Sequence, residues 1–440
     1  MEMTFSKEQI IFTLSWLSNC NQGKVFDDAG TAQTHAMDMV VGALQDPEIT
    51  ELTGNFLEDT QTPLWGPYTI SAKPVFQQYD KQGKPKKDSQ PISDKFVTNN
   101  SMFLARAQKQ VDGSDLFVVA IAGTNMDSPG GWFSEDLQVG GALQKLPWEP
   151  NGKAMIAPGT LGGVNTLIEL GKEFNVEPLA KVLKSAIDST KKTEIAVTGH
   201  SLGGALAPVY ALYLKNQLAD LGSNIKVIAY PSAGPTPGSQ DFVDALSALD
   251  GYVATQNIKD IVPHAWDPST LGELPTLYEE LGNPNSISAY DLVTTSIAWA
   301  KAQAGSNNPY RQAAFTHQFN QELYTGPGLI DTLKELAKLA GELGMMIEIE
   351  ANLRAIYATT EKSVSEIKAQ SNFGAYMGQA GKQHTVAYAS HFFGDDLETK
   401  PFRIALEKYI NPDEKVPEVV RIELKSVNHF LFLIRNNLPG

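Results

Sequence analysis

Residues 193–208 read TEIAVTGHSLGGALAP and set a serine between two glycines at the end of an apolar run. Gly199, Ser201 and Gly203 form a G-x-S-x-G pattern. IAVTG before the serine reads as a buried strand, and GGALAPVYALYLKNQLA after it as a helix. A serine on a sharp strand-to-helix turn offers its hydroxyl as a nucleophile, and its neighbours must be small so that strand and helix can approach. The same five positions also describe a tight turn with an incidental serine. The strand before and the helix after favour the nucleophile. Pro208 falls inside the helix and removes one backbone donor, so a local irregularity is expected there.

A serine hydroxyl needs a base, and the base needs an orienting acid. On an α/β sheet of this kind the chain order is serine, acid, histidine. Asp260, in QNIKDIVPHAW, lies at the end of the strand after next. Parallel strands bring their C-terminal ends to one sheet edge, so Ser201 and Asp260 converge there. Among the competing acids, Asp241, Asp244 and Asp250 fall in a helix or turn before that strand, and Asp267 follows it. The histidines beyond Asp260 are His264, His317, His384, His391 and His429. His264 is too near Asp260 in sequence to span to the serine, and is expected to fix the acid loop or reach a carbonyl. Spacing leaves His384 and His429 level: QHTVAY reads as a loop-to-helix entry, SVNHFLFL as strand or helix. An oxyanion hole needs two further donors. The backbone N–H of Leu202 is one. The loop ending FVVAIAGTN offers Thr124 as the other, a residue that spacing alone reads equally as an ordinary turn threonine.

The elements that must hold these residues follow from the patterning. Residues 1–60 read as mostly helical, and the proline-bearing polar stretch 74–95 as an exposed loop. SMFLARAQKQ and DLFVVAIAG flank an Asp-Gly turn and read as a hairpin. Residues 124–163 read as a long loop and 164–190 as an amphipathic helix. KVIAYPSAG and GYVATQNIKDIVP read as further buried strands. This alternation predicts an α/β fold, a mostly parallel central sheet with helices on both faces. The pattern breaks after about residue 267. Leu329, Leu333, Leu336, Ala340, Leu343 and Ile347 then share one helical face, which reads as a helical insertion.

Bulk properties narrow the partners. The formal net charge of −15 disfavours nucleic acid and anionic membranes, whose phosphates it repels. The single cysteine, Cys20, allows no intramolecular disulfide and suits a reducing compartment. No Cys/His spacing suggests a metal site. The first residues lack a basic region and a cleavage site, so no secretory signal is read; the chain is expected to be cytoplasmic or exported by another route. No apolar run approaches the 18 or more residues of a membrane span.

Several segments together resemble the class 3, fungal-type triacylglycerol lipases, especially the larger bacterial and fungal members. These are LWGPY with NNSMFLAR, AIAGTN with GGWFSEDL, VTGHSLGGALAP, YPSAGPTPGSQDF, NIKDIVPHAW and QHTVAYASHFFG. The likeness spans residues 64–266 and 373–394. It implies an α/β-hydrolase fold with Ser201 as nucleophile, Asp260 as acid and Thr124 and Leu202 as oxyanion donors, and it lifts His384 above His429 as base. It also implies a lid over Asn125 to Phe133, hinged at Gly130 and Gly131. Ala122 stands where the family usually has arginine, as in larger members. The implied organisation is one domain, 1–440. It comprises a helical extension (1–63), a core with nucleophile and acid (64–267), an insertion or cap (268–370) and a C-terminal segment with the histidine (371–440). The implied activity is a serine ester hydrolase cleaving acylglycerol-type esters through an acyl-enzyme. It needs no cofactor and meets a lipid or small ester substrate at a lipid–water interface. The alternative is a phospholipase A1-like secreted effector toxin using the same triad.

Overall fold

The computed structural model describes residues 6–22, 24–46, 63–73, 75–76, 90–91, 94–107, 114–123, 143–149, 151–279, 309–323 and 373–394. Helix α1 (Lys7–Leu17) opens on a reciprocal cap. The Ser6 hydroxyl accepts from the Gln9 N–H, and the Gln9 side chain accepts from the Ser6 N–H at 2.8 Å. Helix α2 (Ala29–Gln45) starts at Asp28, whose carboxylate takes the Thr31 N–H at 2.7 Å.

Three strands then run antiparallel in sequence: β1 (Trp65–Ala72), β2 (Val97–Ala107) and β3 (Asp115–Ile121). The β2–β3 pair is the hairpin read from the sequence. Helices α3 (Pro158–Glu173) and α4 (Leu179–Ala186) lead to β4 (Thr193–His200), α5 (Leu202–Gln217), β5 (Ile225–Ser232) and α6 (Gln240–Ala245). Two short strands follow, β6 (Gly251–Tyr252) and β7 (Thr255–Asn257), then β8 (His317–Phe319), α7 (Phe373–His384) and α8 (Val386–Phe393). The sheet order is β1-β2-β3-β4-β5-β7-β8, with β6 also on β5, and every pairing from β3 onward is parallel. This is the mostly parallel sheet that the alternation of strands and helices predicts, and the α/β-hydrolase architecture that the family resemblance implies.

The central strands are apolar on both faces, as a sheet covered on both sides requires. In β3, Phe117, Val119 and Ile121 join the cluster under α3 and α5, while Leu116, Val118 and Ala120 join the cluster under α1 and α2. β2 divides the same way: Met102 and Leu104 on one side, Phe103 and Ala105 on the other.

Some local expectations need correction. The single helix expected over 164–190 is two helices. Pro158 begins the first, where its missing N–H costs nothing. The chain then turns at Asn175, with φ of +53°, and Pro178 keeps the residue before it out of helix. The run GYVATQNIKDIVP splits into β6 and β7, which pair successively with β5 before β7 reaches β8. Within the expected loop 124–163, residues 144–145 and 155–156 form a short antiparallel ribbon. Helix α5 passes unbroken through Pro208. The expected lid and the helical stripe at 329–357 lie outside the described residues.

Two glycines set how closely α5 approaches the sheet. A Cβ on Gly199 would fall on the backbone of Gly203, and one on Gly203 would fall on the carbonyl of Ile121. Backbone cannot yield as a side chain tip would. Gly203→Ala is therefore expected to destabilise the fold by about 2 kcal/mol or more, as overpacking does, seen as a lowered denaturant midpoint. Ala205→Gly, in the same helix, should cost about 1 kcal/mol.

Candidate active site

β4 ends at His200, and the next residue carries the turn. Ser201 has φ of +60° and ψ of −125°, a sparsely populated conformation for a residue with a Cβ. Three backbone bonds hold it. Its N–H donates to the carbonyl of Ser232 on β5 at 3.1 Å, and its carbonyl accepts from Gly204 at 2.8 Å and Ala205 at 3.2 Å. Leu202 is the first residue of α5, so its N–H has no intrahelical acceptor and lies at the positive end of the helix dipole.

The loop leaving β3 lies against this turn. A Cβ on Gly123 would sit 2.8 Å from the His200 carbonyl and 3.3 Å from the Ser201 Cβ. The Gly123 N–H donates to Asn19 Oδ1 at 2.8 Å, an atom that also accepts from Gln22 Nε2 at 2.6 Å. The turn after α1 thus anchors the loop just before Thr124. Thr124 itself lies outside the described residues.

Asp260 and His384 are both wholly buried and hydrogen-bonded, His384 Nδ1 to Asp260 Oδ2 at 2.7 Å. A carboxylate only accepts, so Nδ1 carries a proton, and a neutral ring keeps its lone pair on Nε2. Oδ2 also accepts from the Tyr388 hydroxyl at 2.9 Å, and Oδ1 from the Val262 N–H at 3.0 Å. Burial, and then the Asp260 charge, hold the Tyr388 phenol well above its ordinary pKa, so it remains a donor. That phenol oxygen accepts the Asn257 N–H at 3.0 Å, while Asn257 Nδ2 donates to Gln383, at 3.0 Å to its carbonyl and 2.6 Å to its side chain. The carbonyl of His384 is 2.8 Å from Nε2 of His200, with the two rings 4.8 Å apart. The histidine and acid are therefore brought together, and the backbone of His384 is tied to the residue preceding Ser201.

The competing groups have other partners or positions. Asp267 caps the short helix after it, accepting from Ser269, and also takes the Gln312 N–H at 2.9 Å. Burial works to raise its pKa, but these hydrogen bonds and Arg311 outweigh burial and lower it. Asp250 accepts the Val227 N–H and the Lys215 ammonium near the start of β5. Asp241 and Asp244 lie on α6. His264 donates from Nε2 to the Ile258 carbonyl at 3.0 Å, bracing the acid loop. His391 stacks on Phe319 at 4.1 Å, and His317 is on β8. His429 lies outside the described residues. QHTVAY is a junction between two helices rather than a loop entering one. Reading residue types alone did not single out Asn19, His200, Asn257 or the bond made by Tyr388. The tyrosine stands four residues after His384, and Asn19 carries no local signal.

Residues 119–269 match the family model described as Lipase (class 3). This segment is similar to class 3 lipases. It contains Ser201, Leu202 and Asp260, and stops short of His384. Among solved structures, a crystal structure of M37 lipase is 22% identical, aligned over 92% of this chain and 99% of its own, with a TM-score of 0.62. A lipase from Rhizopus microsporus var. chinensis is 17% identical over 61% of this chain and 72% of its own, with a TM-score of 0.35. The Rhizomucor miehei lipase propeptide complex is 17% identical over 59% and 64%, with a TM-score of 0.33. A comparison with curated protein sequences found no match. The chain is a lipase-type carboxylic ester hydrolase. Among the described residues, no group of three or more His, Cys, Asp or Glu side chains could hold a metal ion, and no helix is long and apolar enough to cross a membrane.

Tyr388→Phe leaves the buried Asn257 N–H without its acceptor and takes a donor from Asp260. It should cost about 1–3 kcal/mol, read as a lower denaturant midpoint. A pH effect follows from His200, whose pKa is held well below ordinary, first by burial and then by His384. Below the unfolded pKa of about 6.5, the unfolded chain takes up a proton that the folded chain refuses, so stability falls as pH falls. Between pH 6.5 and 5.5 this lipase should lose about 1 kcal/mol more than its His200→Gln variant, measured by denaturation at each pH.

Proposed function

We propose that this chain cleaves acylglycerol-type esters by a serine mechanism with Ser201 as nucleophile, His384 as base and Asp260 as orienting acid. The observation that carries the reading is the buried 2.7 Å His384–Asp260 pair, held against the end of the strand that presents Ser201 on a left-handed turn. In this reading His384 Nε2 takes the Ser201 proton as Oγ attacks the ester carbonyl. Asp260 stabilises the imidazolium that forms. The N–H groups of Leu202 and Thr124 hold the developing oxyanion. Collapse breaks the ester bond, and His384 returns the proton to the departing alcohol. Water then attacks the acyl carbonyl, giving its proton to His384, which passes it to Ser201 Oγ as the carboxylic acid leaves. The substrate is a lipid or small ester met at a lipid–water interface. The acidic net charge favours neutral acylglycerols over anionic phospholipids. The segment 268–370 serves as a cap on the core in the same reading.

Hydrolysis of p-nitrophenyl esters from short to long acyl chains tests this. Ser201→Ala and His384→Ala should each lose on the order of 10⁴-fold or more in kcat. His429→Ala should keep its rate, and triacylglycerol emulsions should be hydrolysed faster than anionic phospholipid vesicles. Substantial activity in Ser201→Ala would overturn the mechanism. A dead His429→Ala would move the base to the C-terminal segment.

A further inference from the structure

His200 precedes the proposed nucleophile, yet no step above uses it. The residue is 2% exposed, and both ring nitrogens have partners. Nε2 lies 2.8 Å from the carbonyl oxygen of His384, and Nδ1 lies 3.0 Å from Oγ of Ser232. A carbonyl only accepts, so Nε2 carries the hydrogen. The ring is neutral, because burial and then His384 hold its pKa well down. Nδ1 therefore keeps its lone pair, and the Ser232 hydroxyl donates to it. The carbonyl partner and the neutral ring together select this tautomer.

That bond falls at a weak point of the backbone. His384 is the last residue of α7, and Thr385, with φ of −120° and ψ of −78°, breaks the chain away before α8. Carbonyls in the last turn of a helix lack intrahelical donors. His200 supplies one to His384. Ser232 lies opposite His200 in the β4–β5 register, and its own carbonyl receives the Ser201 N–H. The pair His200 and Ser232 thus grips the backbone of both Ser201 and His384. Trp16 at 5.3 Å and Tyr388 at 5.1 Å, between ring centres, hem in the His200 ring.

We infer that His200 is a positioning residue, whose Nε2–H bond to the His384 carbonyl sets the distance between the His384 imidazole and the Ser201 hydroxyl. Asp260 holds the imidazole by its ring, and His200 holds it by its backbone. Removing the second hold leaves a base bonded to its acid but free to drift from the nucleophile. Misplacement of about 1 Å costs on the order of 100-fold in rate. This role rests on Ser201 and His384 acting as proposed above.

Three variants separate positioning from packing. His200→Gln keeps an N–H near the Nε2 position. His200→Asn keeps a polar group near Nδ1 only, and His200→Phe keeps the ring with neither. Active sites are titrated with a phosphonate that labels Ser201, and kcat is expressed per titrated site. The Gln variant should stay within about three-fold of wild type, while Asn and Phe should fall about 10- to 100-fold in kcat. KM should move less than two-fold. A merely structural role would reduce the titratable fraction and the melting temperature, not kcat per site. A Phe variant at wild-type kcat per site, or a Gln variant as slow as Asn, would overturn the inference. Should the Phe variant not fold, the Asn–Gln comparison decides. His384→Ala runs alongside: if it stays active, the base assignment fails; if it is dead while His200→Phe is fast, only the positioning role fails.

Discussion

A carboxylate with no access to water must find every partner inside the protein. Asp260 is in that position, and much of the site's arrangement answers its demand. One oxygen is met locally by the Val262 N–H. The other is met by His384 and Tyr388, 124 and 128 residues further along the chain. Neither partner could be replaced by solvent. The acid loop and the α7–α8 junction therefore stand or fall together. Asn257 reinforces the link from the end of β7, meeting Gln383 and Tyr388 on either side of His384.

The N-terminal helix is bound into this arrangement rather than appended to the sheet. Asn19, just past α1, fixes Gly123 beside the Ser201 turn. Gln9 donates to the Phe392 carbonyl at 2.6 Å, and Phe12 stacks on Phe392 at 4.2 Å, so α1 also grips α8, which carries Tyr388. Lys7 reaches Glu194 at the far end of β4. One helix and the turn after it thus touch the loop after β3, the strand leading to Ser201 and the helix beyond His384.

What the sequence made legible was local. The glycines around Ser201 and the apolar strand before it mark a turn whose geometry depends on neighbours within a few residues. The Asp260 loop ends a recognisable strand, so its place on the sheet edge followed from parallel topology. The histidine was different. QHTVAY looks like many helix starts, and nothing within it says that its backbone will meet His200 and its ring Asp260. Only likeness to a family distinguished it from SVNHFLFL. The division of 164–190 turned on Asn175 and Pro178, where a local turn, with the Val176 and Glu177 carbonyls close against Gly171, outweighed amphipathic pattern. Asn19 is an ordinary residue after a helix; its partner is 104 residues away, and no periodicity encodes that distance.

The long sequence separation within the His384–Asp260 pair has a consequence for biosynthesis. A growing chain completes the strand, turn and helix around Ser201 well before residues 373–394 are made. Until then the acid of Asp260 has neither of its distant donors, and its loop has no reason to settle. The pair proposed as base and acid is in this way completed only when the sheet is already built and a late helix pair closes over a waiting carboxylate.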